Sequence, residues 1–342
     1  MKKSALENLV CPETLKALRL EAGEASGDEV QSADLVGGAS VYRIRDGIPS
    51  FFPPELAEDQ TIRSFSQKWA THHYYREHTR AFYTDWYLQR YGLHDLKGLE
   101  DLLAGREFIL DAGTGSGRDA LNLAEHSSAQ AYGVDTAWDA LSIARKDIDH
   151  PRVAFVHADI NHLPFPDAFF DFVNCDQVIH HTGDPRATFE NLRRKLKPGG
   201  QICVYVYKKK AVLREFSDDY VRERVSHLPI EEALQVCEAI TRLGRTLAEL
   251  DIKIDVEEDI PILGIPKGEI DIQRFFHWNV MKCFWNEDFD FFTNNIINFD
   301  WYHPINCFRY EPDEFRAWFD EGFEIQAWDV QEAGISCRAT KV

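Results

Sequence analysis

Between residues 107 and 208, short apolar runs alternate with amphipathic stretches. FILDAG, AQAYGVD, VAFVHAD, FDFVNCD and QICVYVY are five runs of strand length. Most are separated by segments with apolar residues at helical spacing. That alternation predicts an α/β fold with a parallel, doubly wound sheet. Further on, PDEFRAWFDEG predicts a helix, and EIQAWDV and GISCRATKV predict two closing strands, for seven in all. FSQKWATHHYYREHTRAFYTDWYLQRYG, ahead of the sheet, has the helical period. Residues 21–38 are rich in Gly, Ser, Ala and acids and read as a loop. VYRIRDGIPSFFPP reads as a strand, a turn at Asp46-Gly47 and an exit stopped by Pro53-Pro54. REFSDDYVRERVSHLPIEEALQVCEAITRLGRTLAEL is helical and charge-rich, an insertion in the α/β rhythm. The organisation expected is a small N-terminal domain (1–56), a helical segment (57–104), the α/β core (105–208), a helical insertion (209–300) and the C-terminal part of the core sheet (301–342). No internal repeat is visible.

The chain has 342 residues, 44% hydrophobic and 28% charged, which is globular composition. Its 38 basic and 57 acidic residues give a net charge of −19. Such a surface repels phosphate backbones and anionic lipid, which argues against a nucleic-acid or membrane partner. The seven cysteines (Cys11, Cys175, Cys203, Cys237, Cys283, Cys307, Cys337) are odd in number and form no C-x-x-C pair. Neither a disulfide framework nor a thiolate metal site is expected, and a reducing cytoplasm fits. The N-terminus lacks a long apolar core and carries Glu7 and Glu13, so it does not read as a signal peptide. No apolar run reaches the roughly 18 residues of a membrane span. Aromatics make up 13% of the chain and gather in residues 51–91 and 275–319. They would line an apolar pocket or build a core of large side chains.

In FILDAGTGSGRDALNLAE an apolar strand ends at Asp111. Gly113, Gly115 and Gly117 follow at alternate positions, and then a helix begins. Such glycines permit a tight turn and close approach of backbone amides to a ligand. Asp135 ends the second apolar run and Asp159 the third. Ligands of such sheets bind beyond the carboxyl ends of the strands, so the three acids can meet one nucleoside, with Asp135 placed for ribose hydroxyls. A dinucleotide fingerprint, G-x-G-x-x-G, would need glycine where Arg118 stands.

These motifs resemble the class I S-adenosylmethionine-dependent methyltransferases, over about residues 105–210 and the final strand pair. The resemblance implies a seven-stranded Rossmann-like sheet and S-adenosylmethionine as cofactor, with S-adenosylhomocysteine as product and no metal. In DAGTGSG, it places Asp111, Ala112, Gly113, Thr114, Gly115 and Gly117 around the methionine moiety and adjoining ribose. It puts Asp135 and Thr136 at the ribose and Asp159-Ile160 at the adenine. LPFPDAFFDFVNCDQVIHHTGDP matches the stretch into the family's fourth motif, with Asn174, Cys175, Asp176 and Gln177 ending the fourth strand beside the methyl group. LRRKLKPGGQICVYVY matches the helix, turn and strand that follow. The first 56 residues resemble the small zinc-ribbon-like domain of activator subunits of translation-related methyltransferases. Here L-x-C-P-x-C is broken, because Glu13 and Thr14 follow Cys11-Pro12. A degenerate packing or dimerisation unit, compatible with a homodimer, is the reading that leaves.

Methyl transfer needs in-line approach of a nucleophile, and positioning alone supplies much of the catalysis. A general base is required only where the acceptor arrives protonated and weakly acidic. Thiolates form readily and thioethers carry no proton, so a small thiol or thioether is one candidate acceptor. His180 and His181, in the loop the resemblance places near the acceptor, are candidate bases or structural histidines. Tyr302 and His303 are further catalytic candidates, and Trp301 and Arg309 pocket candidates, in FDWYHPINCFRY. His72, His73, Tyr74 and Tyr75 would gate the substrate or form a buried aromatic cluster. Cys175 reads as a small buried packing residue or a cysteine nucleophile, QRFFHWNVMKCFWN as core or part of the acceptor pocket, and Lys208-Lys209-Lys210 as a solvated strand exit or an anion-steering run. The leading expectation is an enzyme methylating a small molecule, with the helical segments as lid and acceptor cap. A tRNA or protein methyltransferase and a non-catalytic cofactor-binding scaffold are the alternatives.

Overall fold

Residues 21–38, read as a loop, are largely strand. The computed structural model, which describes residues 1–21, 23–57, 59–71 and 75–342 (with the side chains of 70, 71 and 75–79 left aside), shows a short strand at Glu24–Ser26 and then β1 (Glu29–Gly37). The buried apolar side chains of β1, Val30 and Leu35, are separated by Gln31, Ser32, Ala33 and Asp34, so the alternation that reveals a strand is missing. Antiparallel pairing supplies what periodicity does not: β1 pairs with β2 (Ser40–Arg45), and β2 pairs with β3 (Ile48–Pro49). The expected turn between β2 and β3 is present. Asp46 and Gly47 both take positive φ (51° and 75°), as a two-residue type I′ hairpin requires.

The structure falls into two units. One comprises Met1–Val206, Pro312–Val330 and Ile335–Val342, the other Tyr207–Glu311 and Gln331–Gly334. In the first, helices α1 (Gln60–Thr71), α2 (Tyr75–Arg90) and α3 (Leu96–Leu103) precede the large sheet. Its strands are β4 (Phe108–Ala112), β5 (Gln130–Asp135), β6 (Val153–His157), β7 (Phe170–Cys175), β8 (Leu196–Lys208), β9 (Phe323–Val330) and β10 (Gly334–Lys341). They lie in the order β9-β10-β8-β7-β4-β5-β6. The five central strands are parallel, and β9 and β10 are antiparallel to each other. Helices α4 (Arg118–Glu125), α5 (Trp138–Asp147) and α6 (Pro185–Lys195) make crossovers. This is the expected doubly wound sheet. Chain order reverses between β4 and β7, which opens a crevice at their carboxyl ends.

Apolar runs such as Ile109-Leu110 are buried throughout, as strands covered on both faces demand. Tyr87 and Leu88 of α2, Tyr91 just past its end, and Leu99 and Leu103 of α3 pack with Ile109, Ala131, Phe172 and Cys203. Part of the aromatic excess is therefore core. The helix expected over PDEFRAWFDEG is only Pro312–Arg316. Beyond it the chain turns, Phe319 packs edge-on to Phe189 at 4.9 Å, and Gly322 takes a positive φ of 76° before the next strand.

The second unit contains α7 (Val212–Val225), α8 (Ile230–Glu249), a hairpin of Lys253–Val256 with Gly268–Asp271, α9 (Ile272–Asn279) and α10 (Phe291–Tyr302). Val225, Ala233, Cys237, Phe299, Trp301 and Tyr302 form its core. Residues 301–311, read as the start of the C-terminal part of the sheet, lie in this unit. No helix among the described residues is long and apolar enough to cross a membrane.

One histidine ties the small sheet to the large one. Ser50 bridges to His157 at the end of β6. Ser50 Oγ lies 2.8 Å from His157 Nδ1, Thr136 O lies 3.0 Å from Nε2, and Phe52 stacks on the ring at 4.7 Å. A carbonyl only accepts, so Nε2 carries the proton and Nδ1 accepts from the serine hydroxyl. Burial, against the hydrogen bond to Thr136, brings the imidazole down to about 4. Its folded pKa lies below the unfolded value of about 6.5, so its contribution is complete above that value and is lost as pH falls toward 4. The shift corresponds to about 3 kcal/mol. Urea unfolding at pH 7 and pH 4.5 should show a smaller acid-induced loss in His157→Gln than in the parent chain. Equal acid sensitivity would refute the clasp.

Candidate functional site

The loop after β4 is pinned to β5. Gly113 and Thr114 both donate backbone N–H groups to Val134 O, at 2.8 and 2.9 Å. Gly113 takes φ 78°, and a Cβ there would lie 2.3 Å from Val178, so only glycine fits. Gly115 takes φ 51°, and a Cβ there would lie 2.8 Å from the Trp69 ring of α1. The loop thus runs as bare backbone between β7's exit and α1.

Two carboxylates anchor this loop. Asp111, buried at the end of β4, accepts from Thr114 Oγ1 at 2.5 Å and from Asn174 Nδ2 at 2.8 Å. Tyr87 OH in turn donates to Asn174 Oδ1 at 3.1 Å and fixes the amide's orientation. Burial first, and Asp119 second, push Asp111 up to about 7, against the hydrogen bonds that favour its charged form. Asp135, at the end of β5, accepts from the backbone N–H groups of Gly115 and Ala137, each at 2.8 Å. Burial raises it too, over the opposing backbone bonds. Among the described residues neither carboxylate has a cationic partner within ion-pair distance.

Asp176, just past the end of β7, behaves in the opposite way. Arg90 Nη2 lies 3.0 Å from it and Tyr91 OH donates to it at 2.8 Å. Burial works against ionisation, yet the Arg90 guanidinium holds this carboxyl below the usual range.

The remaining expected residues divide between places. Ala112, Gly117, Thr136, Asp159, Ile160, Cys175 and Gln177 join Asp111 and Asp135 at the carboxyl ends of β4 to β7 or in the loops just beyond. Asp159 accepts from the backbone and side-chain amides of Asn161, at 3.0 and 3.1 Å. Cys175 is buried, and burial pushes its thiol far up, which suits packing rather than nucleophilic attack. His180 and His181 sit on a one-turn helix after β7, their rings 4.4 Å apart. His180 is fully buried, whereas His181 is partly open and meets Phe65 of α1 edge-on at 4.9 Å. Trp301, Tyr302, His303 and Arg309 lie in the second unit. There Tyr302 OH is 2.9 Å from Asp218 Oδ1, His303 Nε2 is 3.1 Å from Leu228 O, and Arg309 pairs with Glu215 and Asp219. His72, His73 and Tyr74 lie outside the described residues, as does the Tyr75 side chain. Asn174, expected at the end of the fourth strand, lies against Asp111, and Trp69 and Arg90 are site neighbours that sequence reasoning gave no role. Nothing in their local sequence marks them, because each acts across more than 40 residues of chain.

Residues 110–204 match the profile of a family described as a methyltransferase domain. The chain is 37% identical over 99 residues to demethylmenaquinone methyltransferase of Clavibacter sepedonicus, covering 29% of this chain and 40% of that protein. It is 32% identical over 114 residues to 27-O-demethylrifamycin SV methyltransferase of Amycolatopsis mediterranei, covering 32% and 41%. Among solved structures, phosphoethanolamine N-methyltransferase 2 of Haemonchus contortus, in complex with S-adenosyl-L-methionine, is 30% identical over 37% of this chain and 31% of that one, with a TM-score of 0.31. The chain spans about two fifths of the length of the two curated relatives. The profile match falls on this strand order and glycine loop, and it supports an enzyme of the class I S-adenosylmethionine-dependent methyltransferase type.

Asp111 gives a test of the site's electrostatics. Its folded pKa is raised, so its contribution to stability is complete below about 4 and is lost as pH rises through about 7. An asparagine keeps the shape and can accept from Asn174 while Thr114 Oγ1 turns to accept. Asp111→Asn should therefore exceed the parent in stability at pH 8, by up to about 4 kcal/mol, and match it near pH 4. Thermal melts at both values decide this, and a variant less stable at pH 8 would refute the assignment.

Proposed function

We propose that the chain transfers a methyl group from S-adenosylmethionine to a small-molecule acceptor. The observation that carries this is the pair of carboxylates, Asp111 buried and Asp135 partly buried, which among the described residues lack cationic partners and stand beside a loop that only glycine can form. Uncompensated buried charge is costly, and it is retained where a ligand completes it. In this reading Asp111 receives the cofactor's ammonium end, Asp135 and Thr136 its ribose, and Asp159-Ile160 its adenine. The backbone of Ala112 to Gly117 lies along its methionine moiety, with Cys175 and Gln177 at the reacting end. The cofactor supplies a methyl group made electrophilic by its sulfonium.

The protein's own contribution is positioning. Trp69 closes over the glycine loop, and Asn174, held by Tyr87, keeps Asp111 aligned. His181, partly open beside Phe65, is the base for an acceptor that arrives protonated. A small thiol or thioether would need little or no such help. Tyr302 and His303 act within the second unit, through the hydrogen bonds already described. Two relatives named for demethylmenaquinone and demethylrifamycin support a small-molecule acceptor, and so does the net charge of −19.

Calorimetric titration with S-adenosylmethionine should show one site per chain. Asp135→Ala should weaken it at least about tenfold, the scale of one charge-assisted hydrogen bond, in a variant that still melts cooperatively. Unchanged affinity would remove the ribose assignment, and no binding by the parent would remove the reading. With binding established, a mass-spectrometric screen of thiols, phenols, amines and acids for gain of one methyl identifies the acceptor.

A further inference from the structure

The second unit of this acidic chain holds a concentrated group of cations. Four of them stand around the Trp301 ring: Lys282 Nζ at 5.0 Å from its centroid, Arg214 Cζ at 5.2 Å, Lys210 Nζ at 5.7 Å and Arg309 Cζ at 6.0 Å. Arg214 also lies 5.1 Å from the Trp278 ring, and His277 meets Trp278 edge-on at 4.5 Å. Lys210 departs from the solvated strand exit read in the sequence, because its ammonium is turned onto Lys208 O and Ala333 O, each at 2.7 Å.

The carboxylates facing this group are largely committed. Asp218, almost fully buried, is ringed by Arg214 Nε (3.0 Å), Trp301 Nε1 (2.8 Å), Tyr302 OH (2.9 Å) and the backbone N–H of Lys282 (2.8 Å). Glu215 accepts from Arg309 Nε at 2.9 Å and from the backbone N–H of Lys210 at 2.7 Å. Asp219 takes Arg309 Nη2 at 2.7 Å, and Asp300 acts on Lys282 from further off. Capacity is left over on the cationic side. Arg214 Nη1, Arg309 Nη1 and His277 Nδ1 are buried without a hydrogen-bond partner, and Arg214 and His277 are only 1% and 2% exposed. No carboxylate among the described residues lies within ion-pair distance of Lys210 or Lys282.

Buried donors without partners cost free energy, and buried cations in excess repel one another. The same repulsion disfavours protonation within the group. Burial and then Arg214 bring Lys282 down to about 8. Burial, Arg214, Lys282, Arg274 and Lys210 hold His277 well below its ordinary value. An oxyanion would relieve both costs, and a guanidinium edge with an ammonium is the donor set that carboxylates and phosphates select. We propose that Arg214, Lys282, His277 and Arg309 form a binding site for the carboxylate or phosphate group of a small molecule, beside Trp278 and Trp301. The inference rests on the second unit's own residues and not on the methyl-transfer reading.

The test uses the full chain. Acetate, benzoate, inorganic phosphate and methyl phosphate are titrated by calorimetry and thermal melts, with sodium chloride at matched ionic strength as control. At least one should bind saturably, one per chain, and raise the melting temperature beyond the chloride control. Benzoate or acetate as the better ligand identifies a carboxylate, and either phosphate identifies a phosphoryl group. Lys282→Met removes a cation that has no carboxylate within ion-pair distance among the described residues, so it should fold as well as the parent yet bind the anion at least about tenfold more weakly. Lys282→Gln serves if the methionine variant does not fold. Binding by no anion beyond chloride, or equal affinity in the Lys282 variants, would overturn the proposal.

Discussion

The first unit's site depends on two carboxylates drawn out of water, wholly at Asp111 and partly at Asp135, with no cation within ion-pair distance among the described residues. Asp111 and Asp135 end adjacent parallel strands, and each is satisfied by hydrogen bonds from hydroxyl, amide or backbone donors but is not neutralised. Neutral donors stabilise an anion less than an opposite charge does, and desolvation wins at both positions, raising them. Asp176, in the next loop along the same edge, shows what compensation looks like. Arg90 lies against it and its carboxyl is held down. The same edge of one sheet therefore carries a carboxylate finished for structure and two left unfinished. In the proposed reading, that contrast separates acids directed at a ligand from one finished for structure.

The scaffold around the unfinished pair is correspondingly rigid. Tyr87, Asn174, Asp111 and Thr114 form a continuous hydrogen-bonded chain from a helix core through β7 to the glycine loop. Gly113 presses on Val178 and Gly115 on Trp69, so the loop has little room to relax. A preorganised loop loses little freedom when a ligand arrives, and this offsets part of the cost of holding charges out of water.

The sequence disclosed what local pattern can disclose. The apolar runs from FILDAG to QICVYVY became neighbouring strands, and the acid and alternate glycines of DAGTGSG became the loop. It concealed whatever arises between distant residues. β1 hid because Val30 and Leu35 do not alternate with the polar residues between them. His157 looked like one more strand residue until Ser50, 107 positions away, was found on its ring. Asn174 and Asp176 differ by two positions and look alike in sequence, yet one amide orients Asp111 while the other side chain is paired with an arginine of α2. Lys210 looked solvated because two lysines precede it. Its ammonium is satisfied by carbonyls, one of them 123 residues away.

The charge of −19 and the cationic group of the second unit are compatible because they act over different distances. Surface charges are screened beyond about 8 Å at physiological salt, so the acidic exterior governs encounters with extended polyanions, which must lie along it. A single oxyanion contacts only its immediate donors. In a desolvated setting those donors interact with it far more strongly than the distant surface does. Asp218 sharpens this by using both its oxygens on Arg214, Trp301, Tyr302 and the Lys282 backbone, so it fixes the donors in place while leaving Arg214 Nη1 unspent. The acidity that argues against nucleic acid as a partner thus leaves a small anion admissible, and the arrangement selects by size as much as by sign of charge.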